Sequence, residues 1–224
     1  LSIFLVMFQI RVLLLFLIAL VLAFGSAQPL TLGEQYLLRG YTGNAMGKVW
    51  AGALRFEGVE VLTNNSSICA SLSGAAIASY LEARPNAPVA TAALSSPDDV
   101  LRLVSFRQPA LALIFGGQTD APTNNALVRA VLAEAAQRNY AGAIFIHDRT
   151  WGLGSVGQAA KEDANIRRYQ SGKNNLFAVL VDGAAGEVRV AQVRISAVGE
   201  QEVAQVLGTQ KMSEVWLNLF RRSL

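Results

Sequence analysis

ALALIFGGQTDAPTNNALVRAVLAEAAQRNYAGAIFIHD, residues 110–148, is the stretch that decides the fold. It opens on a near-continuous apolar run, the pattern of a strand covered on both faces. It then passes through a polar turn into a helical repeat, with Leu127, Val131, Leu132 and Ala135 on one stripe and Thr123 placed to cap it. A second apolar run, AGAIFIHD, closes the unit. Strand, helix, strand in one short segment predicts a parallel pair joined by a right-handed crossover.

The same alternation extends both ways. Upstream, ALRFEGVEVLT reads as a strand through Val59, Val61 and Leu62. A helix over 67–83 comes next, with Ser66 or Ser67 as its cap, stopped at Arg84 before Pro85. PVATAAL is a further strand, and SSPDDVLRLVSF a helix with Ser96 as cap and Pro97 at its first position. Downstream, VGQAAKEDANIRRYQ reads as one polar helix, and NLFAVLVDGAAGEVRVAQVRISAV as two strands joined across 182–186. Helices over 202–207 and 211–220 end the chain. The expected architecture is a three-layer αβα sandwich with a mainly parallel sheet of five to six strands and an antiparallel edge hairpin. Residues 28–50, with turn-forming Gly33, Gly40, Gly43 and Gly47, are expected to be a lead-in holding one short helix over 32–38. One α/β domain then spans 51–208, and 209–224 form an amphipathic C-terminal helix.

Residues 1–27 are almost wholly apolar, with Arg11 their only charge. With Met7 as the start, Arg11 supplies a positive n-region, 12–24 an apolar h-region, and Gly25-Ser26-Ala27 the small residues of a cleavage site. The segment is expected to be an export signal, with an uncleaved N-terminal anchor as the alternative. The chain from Gln28 onward would then be periplasmic or extracellular.

The formal charge of the 224-residue chain is +3, too near neutral to give an electrostatic footprint for nucleic acid. Cys69 is the single cysteine, which rules out an internal disulfide, a redox pair and a cysteine-built metal site, and its apolar neighbours make it a small hydrophobe. His147 is the single histidine, which removes metal centres that need two or three imidazoles. No metal and no cofactor are expected.

One motif argues otherwise. Gly152, Gly154 and Gly157 stand at the G-x-G-x-x-G spacing of a dinucleotide turn, with Asp182 downstream as a candidate ribose acid. Four residues, 148–151, separate the first glycine from the strand end near His147, where the fold wants it at once, and an exported chain would find little nicotinamide cofactor. A dinucleotide oxidoreductase is therefore the third reading.

Parallel sheets bind ligands beyond the carboxyl ends of their strands. The connectors expected there carry Ser66, Ser67, Ser96, Gln118, Thr119, Asp120, Arg149 and Trp151, all candidate ligand contacts. The preferred reading is a non-catalytic domain that binds a small polar ligand or an envelope protein. The alternative is a hydrolase in which Asp120 and Asp148 act as acid and base and His147 shuttles a proton. Met212, Val215, Trp216, Leu219 and Phe220 form one stripe that docks on the domain or makes a peripheral membrane contact.

Overall fold

The computed structural model describes residues 29–223, so the apolar segment expected to be an export signal lies outside the described residues. Among these, five strands run parallel: β1 (Val59–Asn64), β2 (Val89–Leu94), β3 (Ala110–Ile114), β4 (Ala143–Ile146) and β5 (Leu176–Asp182). Two more, β6 (Glu187–Ile195) and β7 (Gln201–Lys211), continue the sheet antiparallel, giving the order β2-β1-β3-β4-β5-β6-β7. The first crossover runs to one side of β1 and the next to the other. The sequence order therefore reverses between β1 and β3, which opens a crevice at their carboxyl ends.

Alternation along each strand fills two cores. Leu111 and Leu113 of β3 face a layer made by α4 (Ala121–Gln137), α6 (Ser155–Glu162), α7 (Ala164–Ser171) and the short α3 (Asp99–Leu103). Ala110, Ala112 and Ile114 face the other layer, made by α1 (Leu32–Ala51), α2 (Ser67–Ala83) and α8 (Glu214–Arg222). A one-turn helix, α5 (Asp148–Gly152), completes the set. The α/β sandwich is as the sequence predicts, with seven strands in place of the expected five to six because 201–211 adds one at the antiparallel edge.

Several local expectations are corrected. The lead-in is a 20-residue helix whose N-terminus carries a capping box, Thr31 with Glu34. Gly43 and Gly47 are not turns. A Cβ on Gly47 would lie 2.2 Å from the Ala76 carbonyl oxygen, and one on Gly43 2.3 Å from that of Leu72. The two glycines, one helical turn apart, let α1 lie directly on the α2 backbone. Segment 202–207 is strand, not helix. Val203, Val206 and Leu207 stand at helical spacing but remain exposed, and pairing with the open edge of β6 decides the conformation. The predicted polar helix breaks at Asp163, whose carboxylate caps α7 by accepting the Asn165 and Ile166 N–H groups.

Caps also move. Asp120, not Thr123, caps α4 by accepting the Thr123 N–H at 2.7 Å. Asp99 folds back to accept the Ser95 and Ser96 N–H groups, so Ser96 caps nothing. Most of the C-terminal stripe docks on the domain: Met212, Trp216 and Leu219 are buried in the α1/α2 core, Trp216 stacks on Tyr41 with ring centroids 6.2 Å apart, and Val215 remains exposed. No helix of the described residues is long and apolar enough to cross a membrane.

Candidate functional site

The connectors after β1, β2, β3 and β4 meet at one rim because the four strands run parallel. Asn64 ties the first to the third: its Nδ2 donates to the Gly116 carbonyl and to Asn124 Oδ1, both at 2.8 Å. Asn65 donates to the Ser95 hydroxyl, joining the second connector. The Gln118 N–H donates to Ser66 Oγ at 3.4 Å, so the Ser66 hydroxyl joins the rim and makes no cap bond to the α2 backbone. Thr150 Oγ1 donates to the Phe115 carbonyl at 3.0 Å, and the Arg149 side chain lies across Gly116, bringing in the fourth connector.

A cavity of about 510 Å3 opens at the carboxyl ends of β4 and β5, between the fourth connector and the helices α1 and α8. That volume falls in the range of small-molecule sites. His147, Asp148, Arg149 and Trp151 line one wall, Arg39 and Thr42 a second, and Trp216 and Phe220 a third. A larger hollow of about 640 Å3, between α4 and α7, lies at the amino-end edge of the sheet, away from the connectors.

Because β4 ends at Ile146, His147 and Asp148 are free of strand alternation and both reach the cavity. They pair with each other, His147 Nε2 to Asp148 Oδ1 at 2.8 Å, while His147 Nδ1 accepts the Arg149 N–H at 3.4 Å. Burial works against the Asp148 charge, but the His147 charge and hydrogen bond, the Arg149 N–H and the charge of Arg39 outweigh it and hold the carboxyl below its usual range. Arg39 is half-buried. Desolvation pushes its guanidinium down, the nearby Arg149 charge adds to that, and Asp148 pulls the other way. No hydrogen bond or ion pair with the described residues engages either the Arg39 or the Arg149 side chain. Burial raises the Cys69 thiol, which keeps it an inert neighbour.

Of the predicted contacts, Arg149 and Trp151 line the cavity, with His147 and Asp148. Ser66, Ser67, Ser96, Gln118 and Thr119 belong to the adjoining rim and are not in its wall. Asp120 is an exposed helix cap outside the cavity, so the structure does not bring the three proposed hydrolytic groups together. The glycine triple does not form a phosphate turn: α5 intervenes, Gly152 ends it, Gly154 takes the left-handed bend at φ +74°, and Gly157 sits inside α6 with its N–H donating to Gln201 Oε1 at 2.8 Å. Asp182 serves the hairpin, accepting the Ala185 N–H and pairing with Arg189. Among the described residues no cluster of acids, cysteine and histidine fits a metal ion.

A family model matches residues 35–219. The chain belongs to that family, whose description is "Uncharacterized protein". The match takes in α1 from Gln35 and most of α8, so both helices that wall the cavity fall within it. No curated relative matches the sequence. Among solved structures, similarity extends to full-length LpoA of Haemophilus influenzae, at 12% identity over 63% of this chain and TM-score 0.42. It extends also to the C-domain of LpoA from the same organism, a regulator of PBP1A, at 12% identity over 66% of this chain and TM-score 0.43. The leucine-binding protein LivK of Thermotoga maritima gives 14% identity over 75% and TM-score 0.43. The chain spans 23%, 42% and 65% of those three chains respectively.

Proposed function

We propose that this chain is an exported, non-catalytic binding domain that takes a small polar ligand in the cavity beyond β4 and β5. One observation carries the reading: two guanidiniums, Arg39 and Arg149, face a cavity of ligand size with no acid of the described residues bound to either. A half-buried Arg39 with no hydrogen-bonded acid is a poor contribution to stability and a good contribution to recognition, and the exposed Arg149 beside it is placed to reach the same ligand. Both nitrogens of His147 are engaged, one by Asp148 and one by the Arg149 N–H, so the pair acts as a brace for Arg149. Export is supported by the composition of residues 1–27, with small residues at 25–27.

Two measurements test this. Amino-terminal sequencing of the protein recovered outside the cytoplasm is expected to begin at Gln28; recovery only from the cytoplasm defeats the export half. A thermal-shift panel of sugars, amino acids, nucleotides and organic acids is expected to yield a stabilising ligand whose effect is lost in Arg149→Ala. A panel with no response, or a response indifferent to Arg149→Ala, defeats the binding half.

A further inference from the structure

The walls of the cavity say more about its occupant than its size does. Arg39 and Arg149 bring two positive charges, and Asp148, the one acid in the wall, is turned onto His147 at 2.8 Å. The cavity therefore keeps an uncompensated positive charge at the end where α1 meets α5. Its other walls are mainly apolar, with Leu38, Leu72, Val179, Val181, Trp216 and Phe220, and the Thr42 and Ser223 hydroxyls among them already donate to the Leu38 and Phe220 carbonyls. Leu38, Leu72, Val179 and Trp216 are each at most 4% exposed, so these walls are floor and not rim.

Resting on the binding role proposed above, we infer that the ligand is an organic monoacid, a carboxylate carried on an apolar body. The planar guanidinium fork matches a carboxylate, and the charge balance asks for one negative charge. A sugar or nucleotide would lay several hydroxyls against the apolar floor, where each unpaired polar group is costly. A free amino acid would bring an ammonium group that finds its one carboxylate, Asp148, already taken by His147. The chemistry is shared by two sources, a free amphipathic acid and the carboxyl terminus of a peptide ending in an apolar residue.

Octanoate, octan-1-ol and octylamine, titrated against the mature chain by calorimetry, separate charge from apolar burial. Octanoate is expected to bind one to one, at least tenfold tighter than the alcohol, with no heat from the amine. Arg39→Gln is expected to weaken octanoate at least tenfold and leave the alcohol unchanged, and Arg39→Lys to recover part of the loss. An acetylated tripeptide ending in leucine, with free or amidated carboxyl, identifies the source: tighter binding of the free-acid peptide than of octanoate assigns the site to peptide ends, and the reverse order to free acids. Equal binding of acid and alcohol, or octanoate affinity indifferent to Arg39→Gln in a folded variant, overturns the inference. If a sugar or nucleotide binds in an Arg149-dependent way while octanoate does not, the inference fails and the binding role stands. If no compound of any class binds, both fail.

Discussion

His147 Nε2 stands 2.8 Å from Asp148 Oδ1, two adjacent residues whose side chains close on each other at the mouth of a cavity. The geometry is available because β4 stops one residue earlier, at Ile146, and the chain turns at once into α5 with His147 as its cap. The contact engages the Asp148 carboxylate and leaves the Arg39 and Arg149 side chains without a hydrogen-bonded acid among the described residues.

Removing one member of that pair exposes its worth. In Asp148→Ala the imidazole, on a residue only 9% exposed, loses its acceptor. The expected cost is roughly 1–3 kcal/mol, the range for a buried polar group left unsatisfied. Urea denaturation of the variant beside the parent protein measures it; an unchanged midpoint would mean that water replaces the carboxylate without loss.

Gly47 and Gly43 hold α1 against α2. Gly47→Ala sets a methyl 2.2 Å from the Ala76 carbonyl oxygen and forces the helices apart, at a cost of about 1–3 kcal/mol or more. Gly40→Ala, where nothing lies within 4 Å, is the control. It is expected to stabilise by about 0.5–1 kcal/mol through helix propensity alone. Opposite signs for the two substitutions in chemical denaturation support the close approach.

Asn64 joins the first and third connectors through two donated bonds, and its Oδ1 also accepts the Ser66 N–H at 3.1 Å. Asn64→Ala strands the Asn124 amide oxygen and the Gly116 carbonyl. The expected destabilisation is roughly 1–3 kcal/mol, with faster hydrogen exchange of the Gly116 and Gln118 amides. Exchange rates unchanged from the parent would show that the rim holds without Asn64.

Arg222 grips Glu34 across α8 and α1, with Nη2 to Oε2 at 3.0 Å. That bond, then the Thr31 N–H and hydroxyl, draw the Glu34 carboxyl from an ordinary 4.5 down to about 2. A depressed acid stabilises the fold fully above its unfolded value, and the contribution disappears as pH falls from about 4.5 through about 2. Glu34→Gln should lower stability at neutral pH and flatten the acid limb in that window. Tryptophan fluorescence followed against pH, where Trp216 stacks on Tyr41, reads the release of α8. An acid limb of the same steepness in both proteins would remove Glu34 from the account.

The cavity was half legible in the sequence. The fourth connector, with His147, Asp148, Arg149 and Trp151, follows from placing β4. Arg39 does not, because 28–50 reads as glycine-broken turns when its glycines are taken one at a time. The signals were present: Thr31 and Glu34 at capping-box spacing, and Gly43 and Gly47 one helical turn apart on a single face. Residues 202–207 misled for the opposite reason, since their apolar spacing is helical while the open edge of β6 that captures them lies in another part of the chain.

The sequence by itself determined the alternation of strands and helices, and with it a parallel sheet whose connectors share one rim. Period and punctuation are local properties, written in windows of a dozen residues. Only the tertiary structure decided that α1 and α8 close over the ends of β4 and β5, that Asp148 turns to His147, and that Arg39 and Arg149 share one cavity with no acid hydrogen-bonded to either. The meeting of Arg39 with Arg149 joins segments more than 100 residues apart along the chain, and the closure of α8 over β4 and β5 is likewise long-range; no local pattern of residues encodes such a distance.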